Sequence, residues 1–296
     1  MQKISGKGSV AQFIQYGKIL ELCPTLVGGA TINIELEHHY PIKAPTHIRK
    51  YGLSSTIGLV ARLTVRRVFR NYMNPTLGEI NSTAAASFTN VNALISELLH
   101  LGKERISELR QEYSKILDVI QAAEKSTPSP YPDNYGVEKE SGFLIYSIVR
   151  TMNPKIFLET GVANGISSTI ILSAMQFNEI GKLISFDVSA DVGAVIPQHL
   201  KDRWELKLLR RPFKVSFLKE LNSIQSVDVF CHDSDHSFQW QSFEYNSILN
   251  HIRKGGIMLS DDINSSYAFV DFVKIQKFRS YSLIETRNVF GAIPFG

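Results

Sequence analysis

From Ile156 onward, short apolar runs alternate with longer amphipathic stretches. Ile156–Glu159 (IFLE), Leu183–Phe186 (LISF), Trp204–Leu209, Val227–Cys231 (VDVFC) and Ile257–Ser260 (IMLS) have the length and the β-branched or aromatic content of strands. The intervening stretches are long enough for helices, so the connections imply right-handed crossovers and a parallel sheet. At the tail, YSLIET and NVFGAIPF follow each other closely, as an antiparallel pair does. The pattern predicts a doubly wound, mostly parallel α/β sheet of seven strands that ends in an antiparallel C-terminal hairpin.

Upstream the period changes. Across roughly Asn90 to Lys125, residues Ile106, Leu109, Tyr113, Ile116 and Ile120 recur at spacings that place them on one stripe of a helix, with Gly102 interrupting the run. Such a stripe packs on its own domain or forms an intermolecular coiled coil, and the second option gives a homo-oligomer. Thr31–Glu37 alternates Ile32, Ile34 and Leu36 with polar residues, as a strand does. Residues 55–72 combine Ile57, Val60, Leu63 and Val65 with four arginines, which suits a solvated amphipathic helix or a face for a membrane surface or anionic partner. The stretch STPSPYPDNYG, residues 126–136, disfavours helix and sheet alike. The expected division is an N-terminal α+β auxiliary or oligomerisation segment (1–125), a linker (126–136) and an α/β domain (137–296).

Composition narrows the class. The chain has 296 residues, 44% apolar and 20% charged, which excludes a wholly disordered or fibrous protein. No apolar run approaches the ~20 residues of a membrane span, and the first residues lack the apolar core of a secretory leader. Cys23 and Cys231 make no disulfide framework, which points to a reducing, cytoplasmic setting. Closely spaced Cys/His ligands of the zinc-finger kind are absent. Net charge is +4; residues 1–130 hold 15 Lys and Arg against 10 Asp and Glu, and Arg62, Arg66, Arg67 and Arg70 concentrate the excess. A patch this mild does not call for a nucleic-acid partner.

Chemistry gathers at the predicted strand ends. Glu159-Thr-Gly161-Val-Ala-Asn164-Gly165-Ile-Ser167 closes one strand and opens a helix. Glycines there let a ligand approach the backbone, and the helix start offers unpaired N–H groups. The spacing is G-x-x-x-G, without the G-x-G-x-x-G of a dinucleotide cradle, which counts against a nicotinamide-dependent reductase. Glu159 would repel a diphosphate and suits a cationic amine. Asp187 ends the second strand, where a carboxylate either accepts ribose hydroxyls or caps a helix. Cys231-His-Asp233-Ser-Asp-His236 ends the fourth strand and Asp261-Asp262 the fifth. Adjacent strand ends share one crevice, so Asp233, Asp261 and Asp262 should converge. Three ionised carboxylates in one place need a cation, and oxygen ligands suit Mg²⁺, Ca²⁺ or Mn²⁺. His236, beside them, can take a proton at neutral pH.

Taken in order, LETGVANGISS, SFDVS, VDVFCHDSDHS and RKGGIMLSDD resemble the class I S-adenosylmethionine-dependent methyltransferases. Within that class they are similar to the metal-dependent O-methyltransferases, the catechol and caffeoyl-CoA types and especially the macrocin-like group that acts on sugars of natural products. The resemblance covers about residues 135–296. It implies that Glu159, Gly161 and Gly165 turn around the methionine end of the cofactor, with Asn164 and Ser167 beside it. It further implies that Asp187 holds the ribose, that Asp233, Asp261 and Asp262 are metal ligands with Asp233 also near the cofactor, and that His236 is the general base. The implied acceptor is a small-molecule hydroxyl. Two departures stand out: LLRRPFKVS, with Arg210 and Arg211, replaces the usual small or acidic adenine-side motif, and Asp262 stands where the catechol type has Asn. The competing reading is a non-catalytic scaffold that keeps the fold.

Overall fold

The computed structural model describes residues 73–128, 130–132 and 135–296. The expected strand at Thr31–Glu37, the amphipathic stretch 55–72 and the arginine cluster lie outside the described residues.

Among the described residues, eight strands form one sheet in the order β1-β7-β8-β6-β5-β2-β3-β4. They are β1 (Ala86–Phe88), β2 (Ile156–Thr160), β3 (Lys182–Asp187), β4 (Trp204–Leu208), β5 (Val227–His232), β6 (Ile252–Ser260), β7 (Tyr281–Ile284) and β8 (Val289–Pro294). Only β8 runs antiparallel to its neighbours, β6 and β7. The expected fold class is therefore observed, with the hairpin β7–β8 where the tail predicted it. The strand count differs by one. β1, from the segment expected to stand apart, pairs in parallel with β7, Ala86 opposite Tyr281.

Helices cover both faces, and the strand sequences explain why. Along β2, β3, β5 and β6, successive side chains go to opposite clusters. Phe157, Leu183, Val229, Ile257 and Leu259 join one core; Leu158, Ile184, Phe230 and Met258 join the other. Apolar residues on both pleats are what a parallel sheet buried on both sides requires. The first core is completed by α2 (Val91–Leu99), α3 (Lys103–Ser126), α4 (Lys139–Met152) and α5 (Ile166–Asn178), and the second by α1 (Leu77–Thr83), α6 (Phe213–Asn222), α7 (Phe238–Ile248) and α8 (Ala268–Gln276).

The predicted stripe is the buried face of α3: Ile106, Leu109, Tyr113, Ile116 and Ile120 pack in the same cluster as Phe143 and Tyr146 of α4. That is the within-domain alternative for the stripe. Gly142 makes the approach possible, since a Cβ there would stand 2.4 Å from the Tyr113 hydroxyl. A partly buried ion pair ties the same helices: the Arg150 guanidinium grips Glu112, at 2.8 Å from Nε, and the Tyr146 hydroxyl donates to the same carboxylate. The run expected as one helix from Asn90 is two, broken where His100 adopts φ 55° ahead of Gly102. Among the described residues, no helix is long and apolar enough to cross a membrane.

Candidate active site

Sequence order reverses between β5 and β2, so the carboxyl ends of these strands open a crevice at the sheet's switch point. Register fixes what stands there. Thr160 is the partner of His232, and His232 is the partner of Ser260. The main-chain ladder continues one step further: Gly161 N–H donates to Phe186 O (3.0 Å), Asp233 N–H to Thr160 O (2.9 Å) and Asp261 N–H to His232 O (2.9 Å). Asp233 and Asp261 therefore leave adjacent strands at the same height.

A cavity of about 590 Å³ sits over these ends, within the range of small-molecule sites. Its wall contains Gly161, Asn164, Ser167, Asp187, Asp233, His236, Asp261 and Asp262, so eight of the predicted residues share one chamber. Glu159 and Gly165 stand behind the wall. Gly165 opens α5 with φ 90°. Gly161 has φ 81°, and a Cβ on it would meet the Asp233 carbonyl oxygen at 1.9 Å. Only glycine lets the β2 turn pass so close to the end of β5.

Glu159 is fully buried and accepts hydrogen bonds from three serines: Ser168 (2.5 Å), Ser185 (2.6 Å) and Ser167 (3.3 Å). Burial pushes its carboxyl up to about 7, against the pull of those hydroxyls. Asp187 accepts from Val162 N–H (3.0 Å) and Ser189 N–H (2.9 Å), which holds the turn after β2 against the end of β3 while its side chain still faces the cavity.

The acidic centre is a coupled pair. Asp233 and Asp261 are within hydrogen-bond contact; burial and then the charge of Asp261 raise Asp233, and burial and then the charge of Asp262 raise Asp261 to about 7. Asn288, from the hairpin, donates to Asp261 Oδ1 at 2.5 Å, and its own Oδ1 is buried without a partner. Asp262 turns aside at φ 49° and faces His236, with Nε2 at 3.5 Å from Oδ2. His236 Nε2 also lies 3.8 Å from Asp233 Oδ1. Burial, then the charge of His232, lowers His236 to about 4, so its imidazole is neutral near pH 7. The oxygen-only donors around Asp233 and Asp261, with an unsatisfied amide oxygen beside them, have the chemistry of a hard-cation site. Among the described residues, however, no three His, Cys, Asp or Glu side chains are arranged around one ion position.

Several site residues carried no sequence signal. Asn288 precedes a strand and looks like a turn residue. Tyr131 and Tyr135 come from the proline-rich stretch and line the cavity. There Asn164 clasps the Tyr131 main chain, Nδ2 to O at 3.1 Å and Oδ1 from N–H at 3.3 Å. Arg287 ties the hairpin to the same stretch through Glu138 and the Gly136 carbonyl.

Residues 158–263 match the family described as a methyltransferase domain. The matched segment runs from β2 to just past Asp262, so it holds the glycine turn, Asp187, His236 and all three predicted metal-ligand aspartates. No curated protein matches the chain. Among solved structures, the chain is similar to an O-methyltransferase from Bacillus cereus in complex with SAH (16% identity, 73% of this chain and 99% of that one, TM-score 0.44). It is also similar to the O-methyltransferase TomG from Streptomyces achromogenes, involved in tomaymycin synthesis and solved with SAM (17%, 70% and 96%, TM-score 0.44). The SAH-bound Podospora anserina methyltransferase PaMTH1 is similar at 12% identity, over 66% and 97%, with TM-score 0.47.

Proposed function

We propose that this methyltransferase domain transfers the methyl group of S-adenosylmethionine to a hydroxyl of a small molecule, with a divalent cation, Mg²⁺ or a similar ion, assisting. The carrying observation is the single cavity in which the Gly161 turn, Asp187, the Asp233–Asp261 pair and neutral His236 meet.

Bound there, the cofactor supplies an electrophilic sulfonium methyl and the cation a positive charge beside the acceptor hydroxyl. The chain's residues do the rest. Asp187 accepts from ribose hydroxyls with the lone pairs its backbone bonds leave over. Gly161 keeps the wall thin at the methionine end, next to Asn164 and Ser167. Asp233 and Asp261 would hold the cation. His236, unprotonated at neutral pH, takes the acceptor's proton at Nε2. Aligning acceptor oxygen and methyl carbon in this cavity supplies much of the rate.

The substrate class, a sugar or other natural product, follows from the resemblance to the macrocin-like group; a cytoplasmic location is the setting its two cysteines suit, while the stripe that suggested a homo-oligomer packs within the domain. Calorimetry tests the core of this reading. Binding of S-adenosylhomocysteine, strengthened by Mg²⁺, supports the enzyme; binding of neither supports a scaffold that retains the fold.

A further inference from the structure

The site has a second layer centred on a residue that does not line the cavity. Glu244, on α7, is 1% exposed, and both its carboxylate oxygens are fully used. Oε2 accepts from Thr160 Oγ1 at the end of β2 and contacts His232 Nδ1 at the end of β5, each at 2.6 Å. Oε1 accepts from Ser234 Oγ at 2.8 Å and Trp240 Nε1 at 2.5 Å. One side chain thus joins both strands flanking the crevice, the turn that carries Asp233 and His236, and the helix behind them. His232 passes the constraint on. Its buried ring stands edge-on to His236, centroids 5.4 Å apart at 87°.

We propose that Glu244 is the positioning residue of the site. It touches no reacting atom; it fixes the 232–236 turn so that Asp233 meets Asp261 and His236 faces the cavity. This inference rests on the reading of that cavity as the methyl-transfer site. A carboxylate suits the task because all four approaches to it are donors. Glutamine keeps the shape but turns one oxygen into a donor facing two donors. Outer-layer partners of this kind cost 10–100-fold in metal affinity or activity when removed.

The test compares the full chain with Glu244→Gln by crystallography and by calorimetry with S-adenosylhomocysteine, then Mn²⁺. The expected result is cofactor affinity within about threefold of wild type, Mn²⁺ affinity lower by about 10–100-fold, and the 233–236 turn displaced by about 1 Å, a shift able to cost about 100-fold in rate. A general loss of structure would lower cofactor affinity as well. If Glu244→Gln does not fold, Ser234→Ala and Thr160→Val each remove one donor and should move the turn less but in the same sense. An unmoved turn with unchanged Mn²⁺ affinity overturns the positioning role. Wild-type protein that binds no Mn²⁺ sinks the cation instead, and the turn's position then decides the role of Glu244 alone.

Discussion

Asp233 and Asp261 stand side by side because the residues before them, His232 and Ser260, are register partners on adjacent parallel strands. Burial, then the charge of Asp262, raises Asp261 to about 7, and burial with the charge of Asp261 raises Asp233 as well. A folded-state pKa above the unfolded value gives stability that is complete below about pH 4 and lost as pH rises through 7. Asp261→Asn mimics the protonated form. In chelator at pH 8 its melting temperature should exceed that of wild type, and near pH 4 the two should agree. Mg²⁺ should erase the advantage by stabilising wild type alone. Equal melting temperatures at pH 8 would show that the pair is not strained.

The same neutralisation should remove function. With either Asp233→Asn or His236→Gln, methyl transfer should fall at least ~100-fold, the low end of losses on removing one preorganised electrostatic group. Affinity for S-adenosylhomocysteine should stay within about threefold for His236→Gln, since the imidazole acts on the acceptor. Near-normal turnover of Asp233→Asn in chelator would defeat cation assistance, and near-normal turnover of His236→Gln would remove it as the base.

Two glycines separate strain from entropy. Gly161→Ala forces a side chain at φ 81° into the Asp233 carbonyl, so it should cost more than about 2 kcal/mol and abolish cofactor binding. Gly78, exposed on α1, has nothing nearer than 3.8 Å to a new Cβ, so Gly78→Ala should stabilise by about 0.5–1 kcal/mol. Denaturant titration of both variants checks the pair, and a harmless Gly161→Ala would mean the turn can shift away from β5.

Much of this was legible in the sequence because strand ends announce themselves. Apolar runs on both pleats gave five parallel strands, and a polar residue after each run gave Asp187, Asp233 and Asp261. What stayed hidden depends on tertiary partners. Glu244 lies on an amphipathic stretch where an acid looks solvated; only folding shows four donors around it. Asn288 enters the site because β8 runs back beside β6, a pairing local pattern does not encode. The proline-rich stretch marked a break in regular structure, but nothing local showed that Asn164 would clasp the Tyr131 main chain beside the cavity.

Helix α3 gives a stability test of where the α/β core begins. Leu109 is 0% exposed among α4 residues, so Leu109→Ala should cost about 2–5 kcal/mol. A chain truncated before α4 should lose cooperative unfolding, since it exposes Phe143, Tyr146 and the Arg150 partner site together. Cooperative melting of such a truncation would make residues 77–126 an appendage.

Glu159 gives a second pH signature, away from the aspartate pair. Its carboxyl rises from 4.5 to about 7 because burial removes water that three serine hydroxyls only partly replace. The sign is that of any acid raised by folding: its contribution is intact below about pH 4.5 and disappears as pH climbs through 7. At 1.36 kcal/mol per pKa unit, the loss is about 3 kcal/mol. Glu159→Gln cannot ionise, so its stability should fall less between pH 5 and 8, by roughly that amount, in guanidinium titrations. Glu285, also raised to about 7 where it binds Ser141 at the start of α4, supplies the control. If the slope survives in Glu159→Gln and vanishes in Glu285→Gln, the hairpin anchor carries it, and Glu159 is ionised in the native state behind the cofactor wall.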